Sequence, residues 1–564
     1  MRKFKIDISV SGTYNSIVEK RRKIMEKVKE KLKELNPEQV LENFLKWFDS
    51  KKRMAFLITL LVGIIAHITM LTETIMSQDG LWGSIAYSRP GTWEKSLGRW
   101  GIELIQRFNS FVAIPTVSTI SSIICMAIAS VFLVDIFELK NKISIIFTSL
   151  ILVLTPTFTA TLLYVYTAFA YCANFFISTL VIWLLYKFKY KKIGFIFAVL
   201  CFALSLSIYQ SYIGVSIGLC VMVNVLDIIK NKKTMKEIFI NIGLAILVTI
   251  IGAIFYFLLT QIILSKYNLE LANYKGFESN LNAITILKNF GTSIINTYKD
   301  FLMFFLGNDI VYNTNYRREV FYGIFLSVLG IASILSIIYM DEIDKKWKIK
   351  KGILAGIFIF VIPIALNIID IIVVENDMYS LTSSQMILII PFGLAIFECL
   401  DRSIILKWIA VICCIYIMGT YYIANNASYA ALKLTYNQAY STTVRIMDRV
   451  ENTEGYQKEF PILFGGIVGN DNYPRTSNLY GYTIGSIVNN TAFHGTYNGA
   501  TGTWVKFIKI FFGLDVQLCT PDVYYRIVTG EEYKQMEIFP AQDSIRIING
   551  VVVIKLSDTP PLPY

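Results

Sequence analysis

Between residues 73 and 103 the chain gathers one aspartate, Asp79, two arginines, Arg89 and Arg99, and three tryptophans, Trp82, Trp93 and Trp100, directly after its first long apolar run. Charge beside a lipid-facing segment is costly and persists where function requires it. An ionised carboxylate in such a place accepts a proton from a hydroxyl or holds a divalent cation, and partial desolvation raises its basicity. Asp79 is therefore the candidate catalytic residue. Guanidinium forks bind phosphate oxygens and stabilise charge on a departing phosphate, which makes Arg89 and Arg99 candidates for holding a phosphate-bearing donor. Arg317 and Arg318, beside a later apolar run, form a second such pair and would equally suit lipid headgroups. Indole rings lie over the apolar face of sugars, so Trp82, Trp93 and Trp100, with Glu94 among them, are candidates for sugar or acceptor contact.

Each residue also has a structural reading. Asp79-Gly80 suits a turn, the arginines could snorkel, and tryptophans collect at lipid interfaces because they are amphipathic. Glu94 and Glu103 would pair with Lys95 or Arg107 as surface charges. Glu375 and Asp377 stand in a link without positive charge and are candidate second-site acids. A serine-histidine or cysteine-histidine engine has only His67 and His494 to draw on, and His67 falls mid-span, where a packed helix residue is expected. Of the eight cysteines only Cys519 lies clearly outside apolar runs, and their spacing gives neither a disulfide framework nor a zinc site. No cofactor follows from the sequence. If a divalent cation such as magnesium or manganese takes part, Asp79 is its one candidate ligand.

Those residues must be held by elements that cross a membrane. The chain has 564 residues, 54% of them hydrophobic, and carries more apolar surface than a soluble domain can hide. Spans are expected at 54–76, 115–137, 143–162, 169–186, 193–209, 212–229, 238–264, 320–340, 352–374, 385–399 and 404–424, about eleven helices. The apolar piece at 294–306 is short and reads as a re-entrant or surface helix. Residues 1–53 form an amphipathic helical arm with a break at Asn36-Pro37. Residues 425–564 read as a small α/β domain, with a helix at 428–450, a strand at 460–465, a helix at 504–512 and a hairpin about Asn549-Gly550.

The formal charge of +12 would suggest nucleic acid in a soluble protein, but here the lysines cluster in alternate links between apolar runs, which encodes orientation. Links near 51–53, 140–142, 187–192, 230–236, 345–351 and 402–407 are basic, whereas 155–168, 210–211 and 375–384 contain no lysine or arginine. The N-terminus is thus expected in the cytoplasm, and an odd number of spans puts the opening loop and the tail outside. No nucleic-acid partner is expected, and no Gly-rich nucleotide loop is visible.

The acid after the first span, followed by Gly98-Arg99-Trp100, resembles the bacterial membrane glucosyltransferase family of the GtrII type; so do residues 156–174, 436–452 and 544–557. The resemblance covers most of the chain from Met54 onward. It implies a glycosyltransferase of the GT-C type in the bacterial cytoplasmic membrane. Such an enzyme moves a sugar, usually glucose, from a polyprenyl-phosphate carrier to a cell-surface glycan on the outer face. By position it implies that Asp79 is the loop acid. Many GT-C enzymes have two adjacent acids there, whereas this chain has Gln78-Asp79. A glycan polymerase or ligase, and a flippase or transporter of lipid-linked sugar, are the alternatives, although the spans lack the buried charge and internal symmetry of a transporter.

Overall fold

Long runs of Ile, Leu, Val and Phe leave the backbone no partner but itself in lipid, so they fold as helices. The computed structural model describes residues 36–83, 87–188, 192–272, 283–307, 317–342, 344–373, 380–400, 403–466 and 497–558, without the side chains of Gln78, Trp82, 283–286 and 497–503. Eight of the described helices are long and apolar enough to cross a membrane: Pro115–Phe137, Lys142–Leu163, Ala168–Lys187, Gln210–Ile229, Met235–Tyr267, Arg318–Ile338, Lys345–Leu366 and Ile404–Glu451. The chain is a polytopic helical membrane protein. All eleven expected segments are helical, but Lys192–Ile208 and Ser384–Cys399 are shorter, and the first is split at His67 into Ser50–Ala66 and Ile68–Thr72.

Burial ranks the spans. Gln210–Ile229 buries 89% and Lys142–Leu163 83% of the apolar stretch, against 17% for Met235–Tyr267. The first two therefore form the middle of the bundle, and the third turns Ile250, Ile254, Phe257 and Leu258 outward. The expected short piece at 294–306 proves to be a longer amphipathic helix, Ala283–Leu306. It buries Phe301, Phe304 and Phe305 against the Arg318–Ile338 helix, where Phe305 meets Tyr322 at 5.0 Å.

One central helix is broken. Lys142–Leu154 stops at Thr155, whose ψ of 136° is extended, and Pro156 starts a second half, Pro156–Leu163. Such a break strands carbonyls that lipid cannot satisfy. His67 Nε2 donates to the Val153 carbonyl (2.6 Å) and Asn425 Nδ2 to that of Leu154 (2.8 Å). A carbonyl only accepts, so Nε2 carries the proton and Nδ1 of the neutral ring accepts from the Tyr429 hydroxyl (2.7 Å). His67 is thus a tie between helices.

The two kinds of link separate to opposite ends. At the basic end Glu138 pairs with Lys230 (3.2 Å) and Lys232, Asp227 with Lys233, and Lys351 with Glu342 (2.6 Å). At the other end the opening loop meets the 155–168 link through Ser77 and the 210–211 link through Gln210.

The helix that forms the last span does not end at 424. Ile404–Glu451 is one helix of 48 residues, about 70 Å at 1.5 Å per residue, against a hydrocarbon core of about 30 Å. Its far half carries a three-stranded sheet of β1 (Ile462–Gly465), β2 (Ile545–Ile548) and β3 (Val551–Lys555) in the order β1-β3-β2. β3 pairs parallel to β1 and antiparallel to β2. The hairpin turns on Asn549 (φ 51°) and Gly550 (φ 74°), as a type I′ turn requires. Trp504 of the Tyr497–Phe512 helix is buried and stacked on Phe464 at 5.6 Å. In the arm, Pro37–Trp47 is an amphipathic helix with no buried residue, started by Pro37 and capped by the Asn36 side chain.

Candidate active site

Asp79 sits on a short helix, Gln78–Trp82, and its position is fixed by its neighbours. The Ser77 amide and hydroxyl both donate to the Leu163 carbonyl (3.0 and 3.1 Å), and the Ser77 hydroxyl accepts from the Gly80 amide (3.2 Å). Tyr436, from the long helix, donates to the Met76 carbonyl (3.0 Å). Gly80 is required by this approach, since a Cβ there would lie 2.9 Å from the Leu163 carbonyl oxygen. The Tyr497–Phe512 helix packs on the same short helix from the tail side.

The Asp79 side chain is exposed to solvent, yet the surrounding protein desolvates it enough to push its carboxyl above the usual aspartate range. Among the described residues, none donates a hydrogen bond or pairs in an ion pair with it. Tyr166 lies close by: burial first, then the charges of Asp79 and Glu94, hold its phenol protonated well above the usual value.

The arginines part company. Arg89 donates through Nη2 (2.7 Å) and Nε (3.2 Å) to Glu103, which also pairs with Lys95 (3.2 Å) and Arg107 (3.5 Å). Glu103 is 8% exposed; burial alone would raise its carboxyl, but hydrogen bonds from Arg89 and Lys95 outweigh this and hold it below the usual glutamate range. The reading of Glu103 as a mere surface charge is corrected: it is the buried hub of the loop. Lys95, equally buried, also donates to the Pro90 and Gly91 carbonyls (3.2 Å each). Glu94 accepts from the Gly91 amide (2.7 Å) and so starts the Thr92–Ser96 helix.

Gly98-Arg99-Trp100 reaches inward. Gly98 adopts φ 70°, and a Cβ there would stand 2.3 Å from the Tyr256 hydroxyl, so only glycine fits. Gln210 Nε2 closes the corner, donating to the Leu97 carbonyl (3.0 Å) and the Tyr256 hydroxyl (3.1 Å). The half-buried Arg99 guanidinium lies 4.7 Å from the Tyr209 ring centre, and Tyr209 stacks on Tyr171 at 4.7 Å. The Asp79 helix thus packs on the 163–166 segment, Ser77 on Leu163 and Gly83 against Tyr166, while Arg99 reaches Tyr171 by way of Tyr209. Trp100 donates to Thr260 (3.0 Å), and Trp93 is 54% exposed at the rim.

Arg317 and Arg318 have other positions. Arg317 is exposed before the Arg318–Ile338 helix, while Arg318, 3% exposed, donates to the Gly307 carbonyl (2.9 Å) and joins two helices. The Trp82 side chain, Glu375 and Asp377 lie outside the described residues. No three histidine, cysteine, aspartate or glutamate side chains gather as a cation site among the described residues, and Asp79 has no second carboxylate beside it. The described residues there do not fit a cation set. The described sequence candidates missed Tyr166, Tyr171 and Tyr209, whose roles depend on which links meet in space.

The chain matches the family model described as Glucosyl transferase GtrII over residues 83–394, more than half of its length. Comparison with curated proteins and with solved structures gives no match. The matched region includes Arg89, Glu94, Arg99, Trp100 and the 156–174 segment; Asp79 lies four residues before it. An outer rim of charge and tryptophan, a tyrosine-lined interior and this match agree, and the chain belongs to the GtrII glucosyl transferase family: it is a membrane glycosyltransferase.

Proposed function

We propose that the enzyme transfers a sugar, glucose by the family's description, from a polyprenyl-phosphate carrier to a cell-surface glycan at the outer face of a bacterial cytoplasmic membrane. The observation that carries this reading is the Asp79 carboxylate: solvent-accessible, desolvated, and without a donor among the described residues, in the same loop as Arg99 at the end of the bundle opposite the basic links. With lysine-rich links in the cytoplasm, the N-terminus is inside and the tail sheet outside.

Asp79 takes the proton of the acceptor hydroxyl as its oxygen bonds to the anomeric carbon of the sugar. The anomeric carbon's bond to the carrier's phosphate oxygen breaks, and polyprenyl phosphate leaves with the bonding electrons. Arg99, held on Tyr209, is placed to meet the negative charge that develops on that phosphate. Arg89, bound to Glu103 but exposed, is a second cation at the rim, and Trp93 offers sugar stacking there. An apolar cavity of about 360 Å³ lies two turns further along the helix that carries Tyr256, lined by Phe202, Ile246, Thr249 and Phe358, and suits the first isoprene units of a carrier tail. Purified protein given labelled polyprenyl-phosphate glucose should glycosylate cell-surface glycan, and nucleotide-linked glucose should not serve. Transfer from the nucleotide sugar alone would overturn this donor assignment.

A further inference from the structure

At the basic end, away from the opening loop, a second cavity of about 340 Å³ opens where the Lys142–Leu154 and Ile404–Glu451 helices begin beside the end of Ile389–Cys399. Lys142 and Lys407 line it, and neither pairs with a carboxylate among the described residues. Its one acid, Glu398, has both oxygens committed, accepting the backbone amides of Lys140 (2.8 Å) and Asn141 (3.0 Å). The remaining walls are largely apolar, with Ile143, Leu394 and Phe397 among them. Two lysines and two helix N-termini favour an anion, whereas apolar walls do not suit a free one. Basic pockets between spans at the level of the headgroups fit phospholipid phosphates.

We propose that this cavity binds an anionic phospholipid, its phosphate on Lys142 and Lys407 and the start of an acyl chain against Leu394 and Phe397. The position is separate from the transfer site and does not depend on the donor assignment. The site would let the charge of the surrounding lipid stabilise the junction of three spans.

The test is native mass spectrometry of the full chain, delipidated in detergent and supplied with phosphatidylglycerol, with phosphatidylcholine of the same chains, or with inorganic phosphate. Phosphatidylglycerol should be retained in preference to phosphatidylcholine, and inorganic phosphate should not displace it. Lys142→Gln with Lys407→Gln should weaken retention about tenfold. Ile143→Trp, at a half-exposed wall, should weaken it with every charge kept, and Lys345→Gln with Lys346→Gln should leave it unchanged. Each variant is compared at equal thermal stability, which the half-exposed and exposed positions permit. Equal retention of the two lipids, displacement by phosphate, or equal losses from the two lysine pairs would overturn the proposal.

Discussion

A carboxylate crowded by protein and given no donor costs stability when ionised, and among the described residues Asp79 is such a group. Its folded pKa lies above its unfolded value, so the folded state holds the proton more tightly, and stability falls as pH rises from the ordinary aspartate range through the folded pKa. Asp79→Asn removes that cost and should raise the melting temperature at neutral pH while transfer is lost; a lower melting temperature would assign Asp79 a structural role. The acid limb of kcat/KM should likewise lie above the ordinary aspartate value of about 3.9. Glu103 has the opposite sign: its stabilisation is present above the ordinary glutamate value and is lost as pH falls through its lowered folded pKa. Glu103→Gln should cost roughly 3 kcal/mol, because buried Lys95 loses its charge partner, and urea unfolding will show it. Asp79 could be found in the sequence as a lone acid after a span. The pairing of Glu103 with Lys95 or Arg107 was also legible, but its burial and its bond to Arg89 were not, because they exist only once the loop is folded.

At the scale of elements, the half-helix Pro156–Leu163 supports the site, since its last carbonyl receives Ser77 and its following link presents Tyr166. His67 and Asn425 cap the break behind it. Asn425→Leu should cost about 1–3 kcal/mol by leaving the Leu154 carbonyl buried and unsatisfied. Loss of that cap should also lower kcat more than it raises KM; an unchanged kcat would separate the break from the site. The sequence reading ran one span through Pro156 at 143–162, and the donors that cap the break lie 86 and 271 residues from their carbonyls and carry no local signal. The 48-residue helix was hidden for a different reason. Polarity changes near residue 424 because the helix leaves the apolar layer, and hydropathy reports surroundings and not backbone continuity.

For the whole molecule, the alternation of basic and lysine-free links was legible as a pattern, and the structure brings the two kinds of link to opposite ends. A cysteine in place of exposed Asp515 should react with a membrane-impermeant thiol reagent in intact cells, and one in place of Lys345 should not. Native cysteines are buried or half-buried and give a low background. Reversed labelling would contradict the orientation. The family match ends at 394, and beyond it the tail meets the short helix that carries Asp79 through the packing of Tyr497–Phe512 on Gln78–Trp82. The claim on which this account rests is that Asp79 takes the acceptor proton. It is tested most directly by transfer from labelled polyprenyl-phosphate glucose in membranes holding correctly inserted Asp79→Asn protein. A loss of about 10²-fold or more is expected, with partial activity in Asp79→Glu. Full activity in Asp79→Asn would contradict it.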